Sequence, residues 1–312
     1  MTFNKLLVAI APGQQLNDSF HQAFAFANQC AATVTLLAVV EELAELKEIA
    51  EHSCSATNII DKAKKFHHEE LEQHLELLTT RYPNVQFKTR IRIGIPFIEI
   101  AKEAKESGAG MIIIDSHRQD KKTACQRGSC TLHLMRKSEV PIWSISSHSE
   151  PIKHVMAAID LTNPEYYEFN TKLVALAHEY CAAIGADLTL CHAWRLESEG
   201  FLRKWSGYED DDIAQLSQKM RENRMERLQS LLTPYADSPV MMQLKILEGE
   251  AREILPLYAS TKPADLVILG SLSRSGIAGF LMGNTAESMV NQLSCSVLTL
   301  KPDSFKSPIL ND

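Results

Sequence analysis

The chain has 312 residues, about twice an ordinary domain of roughly 150, so two domains of similar size are expected. Its 45% hydrophobic and 23% charged residues exclude disordered, collagen-like and coiled-coil classes. With 32 basic against 39 acidic residues the net charge is −7, opposite in sign to the field that non-specific nucleic-acid binding needs, so no nucleic-acid partner is expected. No apolar run approaches the roughly 18 residues of a membrane span, and the N-terminal stretch shows no export signal. Seven scattered cysteines with no Cys-x-x-Cys pair read as reduced thiols, which points to the cytoplasm.

In chain order, residues 6–10 predict a buried strand, and Asp18 then caps a helix with Phe20, Phe24, Ala27 and Ala31 on one face. Residues 33–40 make a second strand. A long polar helix follows with Ile59, Ala63, Phe66, Leu71, Leu75 and Leu78 as its apolar stripe, ending before Pro83. Val85, Phe87, Thr89, Ile91 and Ile93 alternate as a third strand, and Pro96 opens the next helix. An apolar run at 111–115, a helix from Ser129 and a strand at 142–145 complete a βαβαβαβαβ order.

This order occurs twice. Gly94 pairs with Gly249, Gly128 with Gly283 and Val140 with Cys295, each 155 residues on, and the second set of strands runs through Val155, Leu188, Met242, Leu266 and Val297. Residues 146–151, polar and ending in Pro151, are the linker. Two domains are therefore expected, 1–147 and 152–304. Each is an α/β unit, an open parallel five-stranded sheet with helices on both faces. Ligands of such sheets sit at the carboxyl ends of the strands, near the switch in strand order.

The segment most suggestive of chemistry is 270–285, running from a strand end to a helix start. Gly270 and Gly283 allow close backbone approach, the amides from Gly283 to Thr285 and the helix dipole favour phosphate, Ser271, Ser273 and Thr285 add hydroxyl donors, and Arg274 adds charge. A solvated loop with an ordinary cap is the plainer alternative.

Combined with the first strand of the same copy, ending at Asp160, this loop resembles that of a tandem universal stress protein of the E type. That family has Gly-x-x-Gly, nine residues, then Gly-Ser/Thr. Here Gly270 matches, Ser273 replaces the second glycine, 274–282 give the nine, Gly283 matches, and Asn284-Thr285 stands where Ser or Thr is usual; Cys295-Ser296-Val297-Leu298 resembles the closing strand. The resemblance covers both copies. It implies an adenine nucleotide alpha hydrolase-like, Rossmann-like fold and an ATP site, with or without Mg²⁺. In that site Asp160 meets the nucleoside, the backbone at Ala193 meets adenine, and Gly270, Ser273, Gly283, Asn284 and Thr285 hold the phosphates, to which the loop chemistry adds Ser271 and Arg274. It also implies that the last strands of the two copies associate edge to edge as an intrachain pseudo-dimer, and leaves further homo-oligomerisation open.

The first copy departs from the pattern: Ala11 stands in place of the aspartate, Asp115 replaces the first loop glycine and Arg118 the second, while Gly128-Ser129 survives. A carboxylate there opposes phosphate, so the first copy is expected not to bind ATP; its pocket would be empty, filled by its own side chains, or used by another ligand. Cys125, Cys130 and His133 with His117, and His67, His68 and His74, invite a metal reading, but their spacing fits no standard zinc pattern, and solvated histidines and buried thiols account for them more simply.

The leading expectation is a stress-response protein with ATP in the second domain as structural or regulatory ligand. The alternatives are a slow ATPase, in which Asp160 or a loop hydroxyl places water, and a carrier or scaffold holding an amphiphilic ligand in the first domain. With no Walker lysine, no dedicated base and no carboxylate pair set for Mg²⁺, the residues support binding better than hydrolysis.

Overall fold

The computed structural model describes residues 3–16, 18–41, 55–115, 127–146, 151–271 and 282–310. The elements run β1 (Lys5–Ile10), α1 (Asp18–Gln29), β2 (Thr33–Glu41), α2 (Ser55–Arg81), β3 (Gln86–Gly94), α3 (Pro96–Ser107), β4 (Met111–Asp115), α4 (Ser129–Lys137) and β5 (Ile142–Ile145). They continue as β6 (His154–Ala158), α5 (Tyr167–Ile184), β7 (Asp187–Trp194), α6 (Glu199–Ser206), α7 (Asp210–Leu232), β8 (Met242–Glu248), α8 (Ala251–Thr261), β9 (Leu266–Gly270), α9 (Asn284–Gln292) and β10 (Ser296–Leu300). Among the described residues no helix is long and apolar enough to cross a membrane.

By their contacts the residues divide into two compact units, one of Met1–Pro151, Ser271–Gly283 and Ser294–Asp312, the other of Ile152–Gly270 and Asn284–Leu293. These are not the sequence copies themselves, because β10 and the residues flanking the glycine loop cluster with the first unit.

In the first unit, β1 and β2 are continuous apolar runs buried on both faces, and they occupy the interior of the strand order β3-β2-β1-β4-β5-β10. β3 alternates exposed Gln86, Lys88 and Arg90 with half-buried Phe87, Thr89 and Ile91, as an edge strand does. Right-handed crossovers place α1 and α2 on one face and α3 and α4 on the other. The core between them is aromatic: Phe24 meets Phe87 at 5.7 Å and Phe26 meets the fully buried Trp143 at 5.9 Å. α1 ends earlier than its apolar spacing predicts, and Ala31 lies beyond it with φ 47°, exposed rather than on the buried face. The stripe of α2 is also rotated: Leu71 and Leu78 are buried, but Ile59 and Phe66 are about half exposed and His67 takes the inward position. A 3.6-residue period through Leu71 and Leu78 selects 67, not 66.

The second unit repeats the pattern with strands ordered β9-β6-β7-β8. Its first long helix buries Leu173, Val174, Leu176 and Ala177. Glu209 caps α7 in a reciprocal box with Asp212, so the acidic run 209–212 opens a helix. Gly94 and Gly249 share a positive φ, 144° and 142°, immediately before the helix that follows the third strand of each copy, a bend that only glycine adopts readily.

One expectation is corrected. Instead of five strands in each sheet, the first unit holds six hydrogen-bonded strands in the order β3-β2-β1-β4-β5-β10 and the second unit four, β9-β6-β7-β8. The cause lies in β10, which pairs antiparallel with β5 through Val297↔Ser144, Leu298↔Trp143 and Thr299↔Ile142. Each strand thereby satisfies the other's open edge, the edge-to-edge association that the resemblance implies.

Candidate functional site

In the second unit the parallel register aligns three strand ends. Ala158 lies opposite both Cys191 and Leu269, so Asp160, Ala193 and Gly270 emerge together at the carboxyl end of β6, β7 and β9. β7 and β8 extend the sheet to one side of β6, while β9 lies on the other, which makes this the topological switch point.

Asp160 is half-buried, and its Oδ1 accepts from the Thr162 amide at 3.0 Å and the Thr162 hydroxyl at 2.5 Å, an Asx turn that fixes the carboxylate. The loop it begins is pinned from beneath by side chains that sequence reasoning did not single out. Asn170 Nδ2 donates to the Asp160 carbonyl at 2.8 Å, and Arg227 donates to the Leu161 carbonyl at 3.0 Å. His192 Nδ1 lies between the Ile159 carbonyl, at 2.9 Å, and the Leu161 amide, at 3.4 Å, so the ring bridges two backbone groups of the loop. Burial is the main cause that lowers the His192 pKa, so the ring is neutral, with Nε2 buried and unpartnered among the described residues. The available sequence signal was alternation: His192 and Trp194 flank Ala193 and therefore share the opposite sheet face. Trp194 is core, with the Arg224 guanidinium 4.9 Å from its ring centre, whereas Trp205 on α6 is exposed.

Gly270 has no positive φ; it is glycine for space. A Cβ there would stand 2.4 Å from Cε1 of the Phe169 ring, so the ring packs directly on its backbone. Of the helix-start residues, Asn284 is exposed and Thr285 half-buried, because α9 turns Ala286, Met289 and Val290 inward. Ser273 and Arg274 lie outside the described residues.

Ser271 and Gly283 cluster with the first unit. Gly283 is half-buried. Ser271 is buried, its amide donating to Leu300 O at 2.9 Å and its hydroxyl 3.4 Å from both Met135 O and Leu300 O. The Ser271 carbonyl accepts from Lys301 Nζ at 3.0 Å. That ammonium is itself buried, 4.4 Å from the Phe305 ring centre, and desolvation brings its pKa down to about 8. The serine at the base of the glycine loop is thus an anchor with its hydroxyl committed to protein carbonyls.

At the equivalent place in the first unit a glutamine side chain links the two strand ends. Gln14 Oε1 accepts from the Ala11 amide at 2.9 Å, while its Nε2 donates to Asp115 Oδ2 at 2.7 Å. Thr131 Oγ1 donates to the Asp115 carbonyl at 3.3 Å, and Gly128 caps α4 in extended conformation before Ser129. Of the cysteine and histidine clusters, Cys130 has its thiol pushed up to about 11 by burial, and His133 stacks on Phe97 at 4.6 Å. His117, Arg118 and Cys125 lie outside the described residues.

Two consecutive stretches, 2–145 and 151–301, match the Universal stress protein family. The chain belongs to this family. It is 22% identical over 315 residues to Universal stress protein E of Escherichia coli strain K12, a match covering 98% of this chain and 96% of that one. A Pseudomonas aeruginosa PAO1 protein of unknown function has a similar fold, with TM-score 0.68, 22% identity, and coverage of 96% of this chain and 93% of its own. So has a universal stress protein of Archaeoglobus fulgidus, with TM-score 0.66, 15% identity, and coverage of 96% and 99%. As a universal stress protein with two family domains, the chain carries two switch points, and only that of the second unit presents a carboxylate at the end of its first strand.

Proposed function

We propose that the second unit of this stress protein binds ATP at the carboxyl ends of β6, β7 and β9, as a structural or regulatory ligand. The observation that carries the proposal is the alignment of Asp160, Ala193 and Gly270 at the switch point. Asp160, held by Thr162, offers an acceptor to a ribose hydroxyl. Ala193, with only a methyl side chain, leaves its backbone edge to adenine. The loop residues Ser273 and Arg274, and Asn284 and Thr285 at the start of α9, supply hydroxyls, a guanidinium and first-turn amides to the phosphates. Mg²⁺ would enter as the nucleotide's own counter-ion. The first unit lacks this role, because Ala11 stands where Asp160 offers its carboxylate, and the Asp115 carboxylate, held by Gln14, repels phosphate.

Isothermal titration with ATP tests this: about one site per chain is expected. At about 100 times Kd the nucleotide should stabilise the fold by roughly 2.7 kcal/mol. GTP should stabilise it much less, because the backbone edge at Ala193 is complementary to adenine. Two equivalent ATP sites, or equal shifts with ATP and GTP, would overturn the proposal.

A further inference from the structure

At the amino ends of the strands, remote from the switch points, each unit holds a cavity that the nucleotide reading does not use. The first measures about 670 Å³ and lies between the starts of β1 and β2, the outer face of β3 and the last turns of α3. The second measures about 460 Å³ and lies between the starts of β6 and β7, β8 and the end of α8. Both volumes fall in the range of small-ligand sites.

The two cavities are built on the same register. Thr35 lies opposite Leu7 and Lys88, as Thr189 lies opposite Met156 and Gln243; Arg90 and Lys245 each follow two residues on. Lys5 and His154 hold the equivalent place at the start of the first strand of each copy. A threonine hydroxyl, a cation from the outer strand and a basic side chain from the central strand therefore recur in both.

Their charge runs against that of the chain, whose net value is −7. The first cavity is lined by four cationic side chains, Lys5, Lys88, Arg90 and Arg92, and two carboxylates, Glu103 and Glu106. Both carboxylates bind Arg92, at 2.9 and 2.8 Å, and Glu103 reaches Arg90 only at 3.8 Å. Lys88 has no hydrogen bond or ion pair among the described residues, and Lys5 Nζ reaches only the Ser107 carbonyl, at 3.3 Å. In the second cavity Lys245 and Lys262 likewise have no acidic partner among the described residues, the one lining carboxylate, Asp187, lying 3.7 Å from His154.

Protection of an edge strand explains lysine and arginine on β3, but not a lysine on the central strand β1 or at the end of α8. The first cavity also has no aromatic wall on which a nucleobase could stack. We infer that these cavities are binding sites for a compact polyanion, a polycarboxylate or a polyphosphate, with the first unit's site the stronger.

Titrating the full-length protein with citrate and with inorganic pyrophosphate, against chloride at equal ionic strength, tests the inference and separates the two sources of charge. Saturable binding of at least one probe is expected, weakening with added salt. In the exposed pair Lys88→Gln and Arg90→Gln, Kd should rise about 10-fold or more while stabilisation by ATP is unchanged. Lys245→Gln should remove the weaker phase. Absence of saturable binding by both probes, or binding indifferent to all three substitutions, would overturn it. Because ATP is read out separately, failure here leaves the nucleotide site untouched, and the reverse also holds.

Discussion

Gln14 Nε2 donates to Asp115 Oδ2 at 2.7 Å, joining the carboxyl ends of β1 and β4 through a protein side chain at the switch point of the first unit. The same glutamine accepts from the Ala11 amide, so one amide group satisfies a strand end on each side. Gln14→Ala leaves a carboxylate and a backbone amide without these partners. Denaturant titration is expected to show a loss of about 1–2 kcal/mol with an unchanged slope.

Asp160→Ala should lower ATP affinity roughly 10- to 150-fold, the cost of a hydrogen bond to a charged acceptor. Thr162→Val removes only one of the bonds that orient the carboxylate and should cost less. Calorimetry on both variants checks this; equal losses would assign the effect to loop order rather than to the carboxylate.

Gly270→Ala drives a methyl group to within 2.4 Å of the Phe169 ring. Overpacking of this kind costs about 1–3 kcal/mol. Combined with Phe169→Leu, most of that loss should be recovered, because the smaller side chain vacates the contact. A double-mutant cycle with coupling near zero would show that the ring is not what requires glycine.

Lys301 carries a charge that burial disfavours, with its pKa brought from 10.5 down to about 8. Between these values the unfolded chain binds the proton and the folded one does not, so stability should rise as pH increases from about 8 to 10.5. The span corresponds to roughly 3 kcal/mol at 1.36 kcal/mol per tenfold change. Thermal unfolding of Lys301→Met should lack this rise.

The strands were legible because a buried parallel strand is a continuous apolar run, as at Leu266–Gly270, and the repeat was legible because both copies keep the glycine before the helix that follows their third strand. The aspartate at the end of β6 was legible from its place in the motif. Less legible were features decided by distant partners. Phe66 and His67 are adjacent, and only packing against the sheet chose the histidine for the interior. Asn170, His192 and Arg227 reach the β6 loop from three different elements, so no local spacing announces them. No local pattern marks Gln14, whose partner is 101 positions away.

The pairing of β5 with β10 also sets a schedule for synthesis. Ser144 waits for Val297, about 150 residues later, before its strand is covered. At roughly 5–20 residues per second this is an interval of about 8–30 s. Throughout it the apolar strand Ile142–Ile145 is an open edge, available to any neighbouring chain at the same stage. A message cut short before residue 296 would make that interval permanent, so truncated products of this chain should aggregate through β5 even when all the preceding strands have folded.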